Sequence, residues 1–127
     1  MTTKSKTLNV TVGEGLNQAA ARASAAVRAV QQGKLPVPYF GVSFTEIGQM
    51  LATFTPMRWK LIAALRAAGP MTVAALARHV QRDYKNVHTD IAQLIEWLAV
   101  ERTEDGRVCV PWTEIVVDMK LPTGMAA

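Results

Sequence analysis

Five side chains in the second half of the chain could bind a polyanion or read a base edge. Arg82 and Lys85 carry cations that neutralise phosphates, and Asn86 pairs a donor with an acceptor, as an adenine edge requires. His88 adds a ring N–H donor, and Thr89 adds a hydroxyl and a methyl. All five fall within eight residues. They could contact double-stranded DNA together if one helix displayed them.

The apolar spacing predicts such a helix. Asp83 stands directly before it and can cap its first turn by accepting a backbone N–H. Glu96, towards the other end, would repel phosphate, so we expect the helix N-terminus to approach DNA first. A mixed polar face is often merely solvated, so the surrounding elements must decide between the two interpretations. The predicted core face repeats at spacings of three and four and comprises Tyr84, Val87, Ile91, Leu94 and Leu98.

Start and stop signals place further elements around this helix. Thr55 followed by Pro56 starts a helix that Gly69-Pro70 ends. Thr72 is positioned to cap a short helix, after which the chain turns into the longer one. Beyond it, Asp105-Gly106 marks the turn of a β-hairpin. This order predicts a winged helix-turn-helix, which delivers one helix to the major groove and a hairpin to the flanking backbone.

The first forty residues have a different character. Leu8, Val10 and Val12 alternate with polar residues and predict a strand, and 114–120 predicts another that could join it across a dimer. The alanine-rich stretch from Leu16 to Gln32 predicts a helix. Its apolar stripe either packs on the rest of the chain or pairs with a second copy, and twofold DNA readers favour a homodimer. The predicted dimerisation residues are Leu16, Ala20, Ala23, Val27 and Val30.

The segment after this helix reads as a linker. Pro36 and Pro38 exclude a helix there. Ser43 then predicts the start of another helix, with Glu46 completing a capping box. We therefore divide the chain into an N-terminal strand-helix arm at 1–40, a winged helix-turn-helix domain at 41–120 and a flexible tail at 121–127.

Composition limits the classes of function. The 127 residues carry a net charge of +4 with a pI near 9.6, which favours a polyanionic partner without requiring one. Cys109 is the only cysteine, so neither an intrachain disulfide nor a cysteine-rich metal site can form. No apolar run approaches bilayer length and no secretory leader is evident. We expect a cytoplasmic protein without membrane contact.

No residues form a convincing catalytic or metal-binding pattern. His79 and His88 match no common ligand spacing. Asp83 and Asp90 would lie roughly 10 Å apart along a helix, and Asp83 already has a capping role. No serine, cysteine or lysine has an evident base beside it. We therefore expect no enzyme activity, no metal and no cofactor.

Several motifs recur together in one known group of proteins. They are a Leu-Ala-Arg helix, then Arg-Asp-Tyr-Lys-Asn-Val-His, an Asp two residues later, and a closing Asp-Gly-x-Val-x-Val-Pro-aromatic hairpin. With these motifs the chain resembles short prokaryotic MarR-like winged-helix proteins, which are predicted transcriptional regulators. The motifs fall on Leu76 to Arg78, Arg82 to His88, Asp90 and Asp105 to Trp112, with Thr55-Pro56 and Arg58-Trp59 upstream.

The resemblance implies a mainly α fold with a small β component (α+β) and sequence-specific DNA binding as a dimer, as in a repressor of its own operon. It also implies an alternative, an antitoxin that neutralises a protein toxin through the arm or the tail. Many winged-helix proteins have glycine after the recognition helix, whereas this chain reads Trp97-Leu98-Ala99-Val100, so the exit into the wing is expected to differ. The predicted DNA-contacting residues are Arg78, Arg82, Tyr84, Lys85, Asn86, His88, Thr89 and Arg107.

Overall fold

The structure, a computed structural model, describes residues 6–13, 16–35 and 38–119, with only the backbone of residues 16 and 17. It mixes helices and strands, as the sequence predicts. In chain order the elements are β1 (Thr7–Val12), α1 (Leu16–Gln31), β2 (Phe40–Phe44), α2 (Ile47–Thr53), α3 (Pro56–Ala68), α4 (Val73–Val80), α5 (Tyr84–Glu96), β3 (Glu101–Arg102), β4 (Val108–Cys109) and β5 (Glu114–Asp118).

The predicted caps begin the three helices of the second half. Thr55 and Thr72 each accept a hydrogen bond from the backbone N–H three residues on, over 3.2 and 3.1 Å. Asp83 does the same over 3.4 Å, and Pro56 is the first residue of α3. Each cap satisfies one donor that a helix start leaves unpaired. The starts of α3, α4 and α5 are therefore confirmed.

A left-handed residue ends α4 and directs the chain into α5. Gln81 has φ 58° and ψ 48°, and its N–H bonds back to the last turn of α4. After α5, β3 and β4 pair antiparallel, with Gly106 at φ 82° in the predicted turn. Met71 exchanges backbone hydrogen bonds of 3.2 and 2.8 Å with Val108. The hairpin is thus anchored to the residues that lead into α4.

The second sheet is parallel and is not predicted from the sequence. β1 is its central strand, with β2 on one side and β5 on the other. The predicted linker, residues 33–42, is therefore wrong at 40–42, and the predicted helix start at 43–44 is also strand. Ser43 lies in β2, and α2 begins instead after Glu46, whose capping box uses Gln49. Pairing β1 satisfies a whole row of backbone groups, which outweighs one local capping signal at Ser43.

One hydrophobic core joins this sheet to the helices. Leu8 and Val10 of β1 are fully buried. Phe44, at the end of β2, stacks on Trp97 with ring centroids 4.2 Å apart, which ties the sheet to the C-terminal end of α5. β1 and β5 pair within the chain, so the strand of the predicted arm shares the core of residues 41–119. The division into domains stays a prediction, and 121–127 lie outside the described residues.

Helix α1 lies outside this core. None of its described side chains is buried, and Val27 and Val30 are 55% and 62% exposed. The side chains of Asn9 and Thr11 alternate with the buried ones of β1, so the outward face of that strand offers α1 no apolar surface. The stripe of α1 therefore does not pack on the chain's own core among the described residues. Pairing with a second copy stays a prediction.

Two residues of the predicted core face of α5 are exposed. Tyr84 is 50% and Leu98 47% exposed. Leu98 follows the helix end with φ 69°, and the next N–H, of Ala99, bonds to Leu94 over 2.9 Å. This is the left-handed helix end at which glycine is usual. The Trp112 indole donates to the Leu98 carbonyl over 2.7 Å and helps to hold that conformation.

Candidate nucleic-acid interface

The two faces of α5 differ sharply in burial. Val87, Ile91 and Leu94 are inaccessible and hold one face against the core. Because these positions repeat every three to four residues, the intervening positions point away from the core. The exposed side chains of the N-terminal half are Tyr84, Lys85, Asn86, His88 and Thr89.

Few contacts restrain these exposed side chains. No carboxylate of the described residues pairs with Lys85, and its cation is accessible. Thr89 donates its hydroxyl proton to the Lys85 carbonyl over 3.0 Å, which leaves its oxygen available only as an acceptor. The rings of Tyr84 and His88 lie 5.7 Å apart, one helical turn from each other. The surface therefore presents one cation, one amide and a small aromatic pair.

The end of α4 contributes to the same surface. Arg78 and His79 lie in its last turn and are exposed. An open groove of about 600 Å³ lies between α4 and the start of α5, lined by Arg78, Gln81, Arg82, Asp83 and Tyr84 among others. Arg78 at the end of α4 and Tyr84 at the start of α5 thus line the same groove.

Arg82 also lines this groove, but its guanidinium pairs with Asp90. Its Nη2 lies 2.9 Å from Oδ2 of Asp90, and Arg58 places Nε 3.1 Å from the other carboxylate oxygen. The Nη1 atom of Arg82 is buried and has no hydrogen-bond partner among the described residues. The predicted contact of Arg82 with the DNA major groove stays a prediction, and in this structure its guanidinium pairs with Asp90.

In the hairpin turn, the cation of Arg107 pairs with a neighbouring carboxylate. Arg107 Nε lies 3.3 Å from Oδ2 of Asp105, and both side chains are more than half exposed. The Thr103 hydroxyl donates to the same carboxylate. That hydrogen bond, followed by backbone contacts and the nearby Arg107 charge, lowers the pKa of Asp105. Arg107 is accessible, but a phosphate would have to compete with Asp105 for it.

Sequence reasoning missed the contribution of Arg58. Besides Asp90, it donates from Nη1 to the Thr53 carbonyl over 2.8 Å. Arg58 and Asp90 are 32 residues apart, and no helical or strand periodicity relates positions at that distance. Their only shared signal is that both belong to the motif set of the family resemblance.

The described residues offer little to a metal ion or a thiol reaction. They contain no group of three His, Cys, Asp or Glu side chains placed to hold a metal. Burial, followed by the charge of Glu101, raises the pKa of Cys109. A thiol with a raised pKa is protonated at neutral pH, which favours a packing role over redox sensing.

Comparison with known proteins gives one match. The model of the HVO_A0114 family matches residues 53–117, which covers just over half of the chain and runs from the end of α2 into β5. No curated protein and no solved structure matches. Among the described helices, none has both the length and the apolar character that a bilayer crossing needs. The three capped helices and the hairpin lie inside the matched region. Because the match covers more than half of the chain, the chain belongs to the HVO_A0114 family.

Proposed function

We propose that this protein is a sequence-specific DNA-binding transcriptional regulator with a MarR-like winged helix-turn-helix. The observation that carries the proposal is the exposed N-terminal half of α5, whose opposite face is locked in the core. A recognition helix needs this combination, because base contacts require side chains held in fixed positions by a rigid element. The hairpin of β3 and β4 follows the helix as a wing would.

Each exposed group has a distinct role in this proposal. Lys85 and Arg78 neutralise phosphates on either side of the groove between α4 and α5. Asn86 contacts a base edge with its amide, and Thr89 contacts a base through its methyl or its acceptor oxygen. His88, with Tyr84 beside it, donates to a phosphate or a base edge. Arg107 contacts the phosphate backbone of the flanking DNA after release from Asp105.

The test begins with selection of bound duplexes from a random-sequence library, followed by fluorescence anisotropy on the selected site. Lys85→Ala should weaken binding to all duplexes and reduce the slope of log affinity against log salt by about one. Asn86→Ala should cost about 1–3 kcal/mol on the selected site and relax the preference at one base position. Lys34→Ala removes the same charge from an exposed residue beyond the end of α1 and serves as the matched control. Unchanged affinity and salt slope in both α5 variants would reject the proposal.

We propose further that α1 mediates a homodimer. Its described stripe residues, Ala20, Ala23, Val27 and Val30, are all exposed, and an apolar helix face in water is stabilised by pairing. Leu16, the first residue of the predicted stripe, has no described side chain. Val27→Glu should shift the mass measured by light scattering from dimer to monomer. Ala25→Glu adds the same charge on the opposite side of α1 and should leave the dimer intact.

The antitoxin alternative draws on the same exposed helix. α1 carries Arg22 and Arg28 and no acidic residue, which suits an acidic protein surface. Deleting residues 1–40 cannot test this role, since it would remove β1 from the core. Arg28→Glu reverses an exposed charge outside the proposed dimer stripe and leaves the core in place, so loss of binding to the product of a neighbouring toxin gene, with DNA binding retained, would support the alternative.

A further inference from the structure

Asp90 stands at the centre of a charge cluster that joins three helices. Its two carboxylate oxygens accept from Arg58 and Arg82 over 3.1 and 2.9 Å. Arg58 also donates to the carbonyl of Thr53, the last residue of α2. One carboxylate on α5 is therefore tied to α3, to the end of α2 and to the turn before α5.

The ion pairs of this cluster are weakly screened because they are largely buried, and they are directional because of their geometry. The side chains of Arg58, Asp90 and Arg82 are only 15%, 16% and 22% exposed, so solvent screens them less than a surface pair. Both carboxylate oxygens are used, which fixes the plane of the carboxylate as well as its position. Two cations face one anion, so the cluster keeps an excess positive charge.

The other contacts described above that hold α5 are apolar or lie at its C-terminal end. Val87, Ile91 and Leu94 bury its core face through non-directional contacts, and the bond from the Trp112 indole to the Leu98 carbonyl lies beyond the last residue of the helix. A rotation of about 20° would move side-chain tips at a radius of 5–6 Å by roughly 2 Å. That displacement exceeds the tolerance of a hydrogen bond to a base edge.

We propose that Asp90 is a positioning residue. It sets the rotation of α5 through Arg58 and Arg82 and thereby aims Lys85 and Asn86 at DNA. This inference rests on the proposed DNA-binding function of the same helix. In this proposal Arg82 serves DNA recognition indirectly, through Asp90, instead of by direct contact with the major groove of DNA.

The sign of one substitution separates positioning from simple electrostatics. Asp90→Asn makes the protein more positive, so electrostatics alone would tighten binding to a polyanion. Loss of positioning should instead weaken binding to the selected site by about tenfold, the loss of one good base contact. Glu96→Gln makes the same charge change on the exposed C-terminal half of α5 and should leave binding equal or tighter. If Asp90→Asn binds as tightly as Glu96→Gln, the positioning role is overturned.

A second variant covers the case in which Asp90→Asn does not fold. Arg58→Lys keeps the positive charge, but a lysine ammonium lacks the planar set of N–H donors with which Arg58 bonds to Asp90 and to the Thr53 carbonyl. It should weaken specific binding several-fold with an unchanged salt slope, because the number of phosphate contacts stays the same. Asp90→Glu, which restores the charge, should recover part of the affinity lost in Asp90→Asn. Binding is measured well below the melting temperature of each variant, so lost stability alone would not change it. Wild-type affinity in Arg58→Lys would overturn the role.

A readout without DNA keeps this inference separate from the proposed function. If the wild type binds no duplex, the DNA-binding proposal fails. Residual dipolar couplings of the α5 amides, measured by NMR, then still report the orientation of the helix. A changed α5 orientation in Arg58→Lys supports the positioning role, and an unchanged one overturns it.

Discussion

Helices α1 and α5 have the same kind of apolar sequence pattern, but the apolar face is buried in α5 and exposed in α1. Both carry an apolar stripe at spacings of three and four residues. In α5 the stripe is Val87, Ile91 and Leu94, fully buried, whereas in α1 Val27 and Val30 are more than half exposed. Periodicity therefore predicts a helix and the direction of its apolar face, but whether that face meets a partner depends on the rest of the fold.

The largest effect should come from the buried stripe. Leu94→Ala leaves a cavity between α5 and the core and should lower the free energy of unfolding by about 3 kcal/mol. Val30→Ala on α1 should change it by less than about 0.5 kcal/mol in the monomer. Urea denaturation followed by tryptophan fluorescence measures both. Similar losses at the two sites would show that α1 packs into a core after all.

Capping should give the next largest difference. Thr72→Ala removes the hydrogen bond to the N–H three residues on and should cost about 1 kcal/mol of folding stability. Ser24→Ala on exposed α1 removes a hydroxyl in the middle of a helix and should be neutral or slightly favourable. Thermal unfolding compares the two. A neutral Thr72→Ala would mean that the start of α4 is held by packing alone.

A smaller effect is expected from the left-handed residues that follow the two helices, where opposite substitutions, to and from glycine, can be compared. Gly33, two residues beyond α1, has φ 74°, and Leu98, two residues beyond α5, has φ 69°. Leu98→Gly should raise the free energy of unfolding by about 0.5 kcal/mol, because a side chain at positive φ is strained. Gly33→Ala should increase amide exchange at the end of α1, although a Cβ there meets no atom within 4 Å. A destabilised Leu98→Gly would mean that the Leu98 side chain makes compensating contacts.

The smallest effect concerns the hairpin turn. The Thr103 hydrogen bond, with Arg107 nearby, lowers the pKa of Asp105, so the ionised carboxylate stabilises the folded turn. That stabilisation is present above the pKa of the unfolded chain and is lost as the pH falls through the folded pKa. Thr103→Ala should raise the pKa of Asp105 towards its ordinary value, measured by NMR titration of the carboxyl carbon. No change in this variant would assign the lowered pKa to Arg107 and the backbone.

Much of the candidate interface could be predicted because its signals are local. The caps at Thr55, Thr72 and Asp83 act within one helical turn, and the Asp-Gly hairpin turn acts within a few residues. The exposure of Lys85 and Asn86 follows from the periodicity of α5 alone. The pairing of Arg82 with Asp90 could not be predicted, because Arg82 lies in the turn before α5, where helix periodicity does not set the direction of a side chain.

The amino-acid order by itself determined where each helix of the second half begins, which face of α5 is apolar and which polar groups lie opposite that face. These properties depend on interactions between residues no more than four apart. Tertiary structure alone decided that β2 pairs with β1, that Arg58 and Arg82 hold Asp90 and that α1 stays exposed. The β1–β2 pairing and the Arg58–Asp90 contact join residues 32 positions apart, and chain entropy makes such contacts form only when the whole fold supports them. The Arg82–Asp90 contact spans eight positions but starts in the turn before α5, and the exposure of α1 depends on which surfaces the folded core leaves uncovered.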